Sequence, residues 1–428
     1  MFRILVLFSI LIGLAACAGQ GSPGNSPTSL SHIVITNGTV VDGRGSEPIP
    51  DGIVVLEDDR ITFVGRAADY SQPSDAQVIN AQGGTILPGF IDTHVHSASD
   101  PAIRRQFLVS GVTAVCDLGS PLEDIPQFDE HHLDQDPIAR GFHSGPIITA
   151  PGGLPDVLLQ AGLNYEVGTP DEARAAVVDL HNHGVDVIKV YLQGEVNGVR
   201  YSMLAEQDLT AIVDEAHTLG LLVRSHVTYA SLLDMAVQAG VDIIEHVPVN
   251  ATQTEAQSLS DSQMQGFLES NEPLKVFFAE LFPQYETQLE TMVEAGIVMI
   301  PTLDRPYGDF YRAANPTREQ QLFIEIILEI VRRFHELGGV VGLGTDYNIN
   351  FGIEAGTRIS ASVCGHATEL GTLEPGMLAD VIVVDGDPLE DLQAMGQVVL
   401  VMKNGEFAVA SEVMLEENRW LAELPEQD

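Results

Sequence analysis

Residues 86 to 96 read Ile-Leu-Pro-Gly-Phe-Ile-Asp-Thr-His-Val-His, an apolar run that ends in two histidines separated by one residue. This pattern predicts a buried β-strand. Side chains two residues apart in a strand point to the same face, so His94 and His96 are expected to aim two imidazoles at one point. Two such histidines could also form a surface pair or a satisfied pair in the core. The motif by itself therefore does not decide whether the two histidines bind a metal ion.

The middle of the chain repeats one pattern, in which a helical segment ends at glycine and an apolar strand follows within one or two residues. Glycine is favoured just past a helix end, and apolar strands that alternate with helices indicate a parallel sheet covered on both faces. With the strand at 86 to 96 and a shorter one at 146 to 150, eight units are present. Eight such units predict an α/β fold of the (β/α)8 TIM barrel type over residues 86 to 370. The other strands follow Gly111, Gly184, Gly220, Gly240, Gly296 and Gly338-Gly339.

The two ends of the chain carry short β-patterns that are each too small to bury both faces. Residues 32 to 85 alternate in a β fashion, and residues 371 to 410 hold further apolar strands. We expect them to form one small β-sandwich domain, with the barrel inserted between its halves. Residues 411 to 428 are expected to form a C-terminal helix and tail. Turns are predicted at Asn37-Gly38, Asp42-Gly43, Asp58-Asp59 and Asn404-Gly405.

In a TIM barrel, chemistry lies where the strands end at their C-terminal face. Here most of the predicted strands end in a group that can bind a metal ion. Taken singly, such a histidine is more often a core or helix-capping residue, and such a lysine is a buried cation paired with an acid. The strand-end groups are His94, His96, Asp117, Lys189, His226, His246 and Asp346.

The N-terminus has the features of a targeting segment. Arg3 is followed by an apolar stretch at 4 to 14 and then by Leu-Ala-Ala-Cys, which resembles the bacterial lipobox. We expect residues 1 to 17 to be a signal peptide with Cys17 acylated, and residues 18 to 31 to be a flexible tether with a span of roughly 20 Å. This predicts lipid anchoring in a bacterial cell envelope. The alternative is cleavage nearby and secretion.

The charge of the chain limits its partners. Against 20 lysines and arginines stand 61 carboxylates, for a formal net charge of -41. Such a field repels nucleic acid and anionic lipid, so we exclude nucleic acid and expect membrane contact only through the lipid anchor. If Cys17 is acylated, Cys116 and Cys364 remain, and no disulfide framework is expected. A homo-oligomer is left open.

Taken together, the motifs resemble those of the amidohydrolase superfamily, and within it the imidazolonepropionase-like and prolidase-like amidohydrolases, from residue 32 to 410. No single motif is specific, but the set is. The motifs are Pro-Gly-Phe-Ile-Asp-Thr-His-Val-His at 88 to 96, Val-Ile-Lys-Val at 187 to 190, Ser-His-Val at 225 to 227, Ile-Glu-His at 244 to 246, Gly-Thr-Asp at 344 to 346, and Gly-Thr-Leu-Glu-Pro-Gly at 371 to 376 followed by Ala-Asp at 379 to 380.

The resemblance implies a binuclear metal site. His94 and His96 would hold a first metal ion together with Asp346, while a second ion would be held by His226 and His246. Carbon dioxide would convert Lys189 into a carbamate that bridges the two ions. Histidine and carboxylate ligands suit zinc best. The alternative is a mononuclear site of His94, His96, His226 and Asp346, with His246 contacting substrate.

The reaction that the resemblance implies is hydrolysis of an amide-type C-N bond by a metal-bridging hydroxide, with Asp346 moving the proton to the leaving nitrogen. The expected small-molecule substrate is a dipeptide or an N-acyl amino acid. Tyr229 matches a substrate-contacting tyrosine of prolidase-like relatives, and Arg305 could meet a substrate carboxylate. The alternatives are that Tyr229 packs on its neighbours and that Arg305 forms a salt bridge with an acidic residue. A deaminase or hydrolase of a heterocycle and a non-catalytic envelope binding protein are the other functions considered.

Two departures from the family pattern stand out. The family often has Gly-Gly-His after strand 3, whereas here Gly152-Gly153 is followed by Leu154. The segment between Asp346 and Gly371 is short, and the usual long helix is hard to find in it. We therefore expect no histidine electrophile after strand 3 and a remodelled loop after strand 8.

Overall fold

A computed structural model of the protein describes residues 32–130, 137–155, 162–196, 198–249, 266–267, 269–303, 316–346 and 355–423. The predictions for the signal peptide, the tether and Cys17 lie outside these residues, as does that for Arg305. Among the described residues, no helix has the length and apolar character needed to cross a membrane.

Strands from both ends of the chain form the predicted small domain. They are hydrogen-bonded into one eight-stranded sheet in the order β20-β19-β18-β5-β1-β2-β3, with β4 also paired to β1. The two halves meet where β5 runs antiparallel to β18. Its strands are β1 (Ile33–Val40), β2 (Ile49–Glu57), β3 (Arg60–Arg66), β4 (Gln77–Asn80), β5 (Thr85–Pro88), β18 (Val381–Val384), β19 (Val398–Lys403) and β20 (Glu406–Ala410).

The predicted strand at 86 to 96 is divided at Gly89. Thr85–Pro88 belongs to the terminal sheet, and only Phe90–Val95 belongs to the barrel. A Cβ atom at residue 89 would overlap the Thr113 side chain on the neighbouring barrel strand, so glycine is required where the chain passes from one sheet to the other. The barrel therefore begins a few residues later than the sequence suggested.

The barrel strands form two parallel groups, β6-β7-β8 and β9-β11-β14-β15-β16-β17, with β10 beside β9. Their order around the ring follows the order in the chain, as in a (β/α)8 fold. Strand 3 of the barrel is longer than predicted, because it begins at Arg140 and is interrupted between β8 and β9. The strands are β6 (Phe90–Val95), β7 (Val112–Asp117), β8 (Arg140–His143), β9 (Ile147–Thr149), β10 (Asn164–Glu166), β11 (Val187–Leu192), β14 (Leu222–Val227), β15 (Ile243–Glu245), β16 (Val298–Ile300) and β17 (Val340–Val341), with a side hairpin of β12 (Glu195–Val196) and β13 (Val199–Arg200).

Hydrogen bonds join the last barrel strand to the first. The Thr93 amide donates to the carbonyl oxygen of Leu343 at 3.1 Å, and the Asp346 amide donates to that of His94 at 2.7 Å. These bonds bring the segment after β17 alongside β6. The ends of strands 1 and 8 therefore lie next to each other at the rim of the barrel.

The barrel helices cover the strands and bury an apolar core of mostly aliphatic side chains, including Ile188, Val223 and Ile244. Within the described residues after strand 8, the chain forms a π-helical turn at Ala355–Ile359 and one short helix in place of the family's usual long helix, in line with the change that the sequence suggested. The helices are α1 (Pro101–Val109), α2 (Ile125–Glu130), α3 (Pro170–Asn182), α4 (Glu206–Thr218), α5 (Leu233–Ala239), α6 (Pro273–Val276), α7 (Tyr285–Glu294), α8 (Arg318–Glu336), α9 (Ser360–Val363) and α10 (Glu412–Glu417).

One of the predicted turns is wrong. Asn37-Gly38 lies inside β1, where a register shift against β2 marks a bulge, and Asn37 has a φ of 58°. The physical reason is that Asn-Gly favours a positive φ, which a bulge uses as well as a hairpin does. The turns at Asp58-Asp59 and Asn404-Gly405 are confirmed, since each joins two paired antiparallel strands.

Candidate metal centre

Three of the predicted ligands converge at the C-terminal rim of the barrel. His94, His246 and Asp346, from strands 1, 6 and 8, each place one potential ligand atom within 4.8 Å of the others. His96 lies beside them, with its Nε2 3.3 Å from Asp346 Oδ1, and His94 Nε2 is 3.8 Å from the same oxygen. Residues as far apart in the chain as 94 and 346 thus form one cluster.

His226 adjoins this cluster, but one of its ring nitrogens is engaged elsewhere. Its ring centre is 4.4 Å from that of His246. Its Nε2 lies 2.7 Å from Gln193 Oε1, and its ring stacks on Tyr191 at 3.9 Å with an angle of 9° between the planes. The tight group of three therefore contains His246 rather than His226, which differs from the mononuclear set considered from the sequence.

Lys189 lies in β11 with only 2% of its surface exposed. Its Nζ has no hydrogen-bond partner among the described residues. Burial lowers its pKa to about 8, although the nearby Glu245 carboxylate opposes the shift. In the part of the chain that is described, the plain alternative of a lysine in close ion pairing with an acid is not observed. A buried amine that loses its proton readily fits the predicted capture of carbon dioxide.

The backbone at the rim adopts conformations that ordinary residues rarely take. Asp346 has a φ of 55°, His246 a φ of 72° and the β-branched Thr302 a φ of 45°. Such conformations cost about 1 to 3 kcal/mol each and are retained where the surrounding structure enforces them. Here the amide of His246 donates to the carbonyl oxygen of Ile300 at 2.8 Å, which holds the turn at the end of strand 6. Two of the candidate ligands, His246 and Asp346, thus lie on strained backbone.

The charge states of these groups suit metal binding. Burial and the nearby Lys189 lower the pKa of His94 to about 3, and burial lowers that of His246 to about 4. Burial alone would raise the pKa of the Asp346 carboxyl, but His94 and the hydrogen bond to His96 hold it well below its usual range. Neutral imidazoles beside a carboxylate are donors that a divalent ion such as zinc prefers. The residues present therefore fit the metal that the sequence predicted.

Two other carboxylates near the rim have structural roles. Asp117, at the end of strand 2, accepts the amides of Ala98 at 2.6 Å and Gly119 at 3.1 Å, so it fixes loops instead of joining the ligand cluster. Asp92 accepts the amide of Thr345 at 3.0 Å and its hydroxyl at 2.6 Å, which ties strand 1 to strand 8. A position at the end of a strand does not by itself show whether a carboxylate binds a metal ion or holds the backbone of a loop.

Tyr229, which was predicted to contact substrate, makes its hydrogen bond within the protein. The Tyr229 ring is buried, and its hydroxyl donates to the carbonyl oxygen of Glu195 at 2.8 Å, so contact with a substrate stays a prediction. Leu154 is fully buried at the position where relatives often have a histidine.

Sequence reasoning missed Tyr191, Gln193 and Glu245, which contact the candidate ligands. Two of them had a local signal. Tyr191 lies two residues after Lys189 on the same strand face, and Glu245 immediately precedes His246.

Comparison with known proteins supports the assignment of the fold. No family model matches the chain. It is 26% identical to enamidase from Eubacterium barkeri over 51% of this chain and 56% of that protein. It is 23% identical to ochratoxinase from Aspergillus niger over 87% of this chain and 86% of that protein. It is 23% identical to imidazolonepropionase from Symbiobacterium thermophilum over 84% of this chain and 91% of that protein.

The chain is thus similar over most of its length to two of these enzymes, in keeping with the resemblance that its motifs indicate.

Solved structures share the fold of this chain. A prolidase complexed with N-methylphosphonate-L-proline superposes with a TM-score of 0.67 at 21% identity, covering 89% of this chain and all of the other. A Xaa-Pro dipeptidase with bound methionine gives 0.66 at 22% identity, with the same coverage. These similarities support a barrel with a small additional domain.

Proposed function

We propose that this protein is an amidohydrolase that hydrolyses the amide bond of a dipeptide or an N-acyl amino acid with the help of bound divalent metal ions. The observation that carries the proposal is the convergence of His94, His246 and Asp346 within 4.8 Å at the rim of the barrel. The choice of substrate is supported by structural relatives whose names are prolidase and Xaa-Pro dipeptidase.

The residues that would hold the metal are those named from the sequence. His94, His96 and Asp346 would hold the first ion, His226 and His246 the second, and Lys189 as a carbamate would bridge them. A bound divalent ion would supply Lewis acidity, which lowers the pKa of water and polarises a carbonyl group. For Lys189, the support is that its buried Nζ lacks a hydrogen-bond partner among the described residues. Zinc is the metal we propose.

Asp346 is the residue proposed to move the proton. Its carboxylate is 20% exposed, so it can meet both solvent and a substrate at the rim. Held ionised by its neighbours, it can accept a proton from attacking water and return it to the leaving nitrogen. His96 Nε2 lies 3.3 Å from Oδ1 of this carboxylate, and His246 Nδ1 lies 4.0 Å from Oδ2.

A second candidate is a mononuclear hydrolase or deaminase that acts on a cyclic amide or heterocycle. One observation favours it. Only three potential ligands, His94, His246 and Asp346, lie close together among the described residues, and His226 directs its Nε2 to Gln193. Relatives named imidazolonepropionase and enamidase also support it. A non-catalytic binding protein is the third option, and the retention of every predicted ligand argues against it.

Metal analysis and a substrate library distinguish these functions. Purified protein should contain about two zinc ions per chain and hydrolyse members of a set of dipeptides and N-acyl amino acids. One ion per chain with activity only on cyclic amides would favour the second candidate. Protein that binds no metal in zinc-supplemented medium and cleaves no compound would contradict both enzymatic functions.

We also propose that the protein is exported to a bacterial cell envelope and anchored by acylation of Cys17. The support is the charge of Arg3, the apolar stretch at 4 to 14 and the Leu-Ala-Ala-Cys sequence that follows. A radiolabelled fatty acid should be incorporated into the wild-type protein and not into a Cys17→Ser variant. Release of unlabelled wild-type protein into the medium would indicate secretion instead.

A further inference from the structure

Two histidines of the proposed metal site each have one ring nitrogen engaged by a protein side chain. His94 places Nδ1 2.6 Å from Glu245 Oε2, and His226 places Nε2 2.7 Å from Gln193 Oε1. Opposite nitrogens are engaged in the two rings. A neutral imidazole that donates a hydrogen bond through one nitrogen has its lone pair on the other. The chemistry of each partner therefore decides which nitrogen can bind a metal ion.

Glu245 can act only as an acceptor. Its carboxyl group is completely buried, and Oε1 accepts a hydrogen bond from Arg224 Nε at 2.7 Å. An arginine does not lose its proton in a protein, so it keeps this carboxyl ionised. The His94 ring must then donate from Nδ1, which leaves the lone pair on Nε2. That atom faces Asp346 Oδ1 at 3.8 Å.

The Arg224–Glu245 pair is built into the barrel interior. Arg224 is fully buried, and its remaining nitrogens donate to Thr93 Oγ1 at 3.3 Å and contact Cys116 Sγ at 3.7 Å. Because an uncompensated buried charge is costly, neither member can turn away while the other stays. Side chains from four strands thus fix the position of the carboxylate behind His94.

Gln193 has its amide orientation set by a second contact. Its Nε2 donates to the carbonyl oxygen of Glu195 at 3.0 Å, so Oε1 is the atom that faces His226. The Thr228 hydroxyl donates to the same oxygen at 3.1 Å. Because Oε1 accepts only, His226 must donate from Nε2, which leaves its lone pair on Nδ1. Stacking on Tyr191 holds the plane of the ring.

We propose that Glu245 and Gln193 are positioning residues that hold His94 and His226 in opposite tautomers, with the lone pair of His94 on Nε2 and that of His226 on Nδ1. This inference rests on the proposed function for the existence of metal ions at this site. The tautomers themselves are properties of the folded chain and do not depend on a bound metal. Carboxylate and amide partners of this kind orient histidine ligands and strengthen their binding.

The first experiment measures the tautomers directly in the metal-free protein. Long-range proton–nitrogen spectra of protein labelled with nitrogen-15 histidine should show one ring protonated at Nδ1 that disappears in His94→Ala, and one protonated at Nε2 that disappears in His226→Ala. Finding either ring as the other tautomer would overturn the assignment for that residue. If the wild-type protein has these tautomers but binds no zinc, the proposed function fails while this inference stands.

The second experiment measures zinc affinity by competition with a chromophoric chelator. Glu245→Leu should weaken one binding event by about 10- to 100-fold, and Gln193→Leu should weaken the other by a similar factor. Glu245→Leu leaves Arg224 without its partner, so the double variant Arg224→Met/Glu245→Leu provides a version without a buried cation. Unchanged affinity in that double variant, with the wild-type protein binding zinc, would overturn the role of Glu245.

The matched control is Asp186→Asn. Asp186 Oδ1 lies 3.0 Å from Nε2 of His366, so this variant also alters a histidine–carboxylate contact. Asp186 precedes β11, at the end of the barrel opposite the candidate metal centre. Zinc affinity should change by less than twofold. An equal loss in this control would show that altered packing, and not the tautomer of a ligand, causes the effect.

Discussion

Replacement of His226 by alanine should abolish turnover while the fold is retained. The side chain loses one stacking contact, with Tyr191 at 3.9 Å, and one hydrogen bond, with Gln193 at 2.7 Å. Each is worth about 0.5 to 1.5 kcal/mol, so the variant should lose about 1 to 3 kcal/mol of its free energy of unfolding. Gln193 Oε1 keeps the hydrogen bond from Thr228, so no buried acceptor is left without a donor. The free energy of unfolding of a folded domain is about 5 to 15 kcal/mol in total, so the variant should stay folded.

The effect on catalysis should be much larger than the effect on stability. Loss of a metal ligand removes several kcal/mol of transition-state stabilisation, and each 1.36 kcal/mol is a factor of ten in rate. We therefore expect kcat/KM to fall by at least about 1000-fold, together with a fall in zinc content. Urea unfolding, hydrolysis of the best substrate and metal analysis on the same preparation measure the three quantities.

His366→Ala is the matched control for this prediction. His366 stacks on Phe142 at 3.8 Å with an angle of 15° and lies 3.0 Å from Asp186, so it makes nearly the same contacts as His226. It lines a cavity at the opposite end of the barrel with residues such as Arg140. Its loss should cost similar stability and leave kcat/KM within a factor of two. Retention of more than a tenth of the activity in His226→Ala would refute the ligand role, and equal losses in both variants would show that stability alone is responsible.

Three further predictions concern other buried charges. Lys189→Ala should be inactive and should regain activity when a short carboxylic acid is added, since the acid can take the place of the carbamate; full activity without the acid would show that Lys189 is not a bridge. Asp380→Ala should lower the free energy of unfolding by about 3 to 5 kcal/mol, because Arg140, which lies 2.7 Å from this carboxylate in the wild type, becomes a buried unpaired cation. A loss under 1 kcal/mol, measured by urea denaturation, would contradict this. Burial lowers the pKa of Lys403 to about 8 from its usual 10.5, so the unfolded chain binds more protons between these values and the stability should rise as the pH increases from 8 to 10.5. Lys403→Met should accordingly be more stable than the wild type at pH 7, by about 1 to 2 kcal/mol since the side chain is partly exposed, and the gain should vanish near pH 10.5 in denaturation curves.

Local pattern was enough to predict the architecture. Apolar runs after glycines identified the barrel strands, and the fold is confirmed by the parallel pairing of β11 with β14 and of β14 with β15. The i and i+2 rule placed His94 and His96 together at one rim. The same rules could not divide the stretch at Gly89, because the reason for the division is Thr113 on a neighbouring strand.

Strand-end positions nominated the candidate ligands but did not determine their neighbours. His94 and Glu245 are separated by 151 positions, and their contact at 2.6 Å exists only because strands 1 and 6 reach the same rim. Asp117 has the same strand-end position as a ligand, yet two backbone amides occupy its oxygens. Spacing along the chain carries no information about which amide or side chain a folded loop brings near.

By itself, the sequence determined the barrel, the small domain from both ends and the set of groups at the strand ends. Those features follow from periodicity, glycine positions and residue chemistry, all of which are local. Only the tertiary structure decided that Glu245 and Gln193 face opposite nitrogens of His94 and His226. A hydrogen bond depends on distances of about 3 Å between atoms, and only the closed ring of strands sets such distances between remote residues.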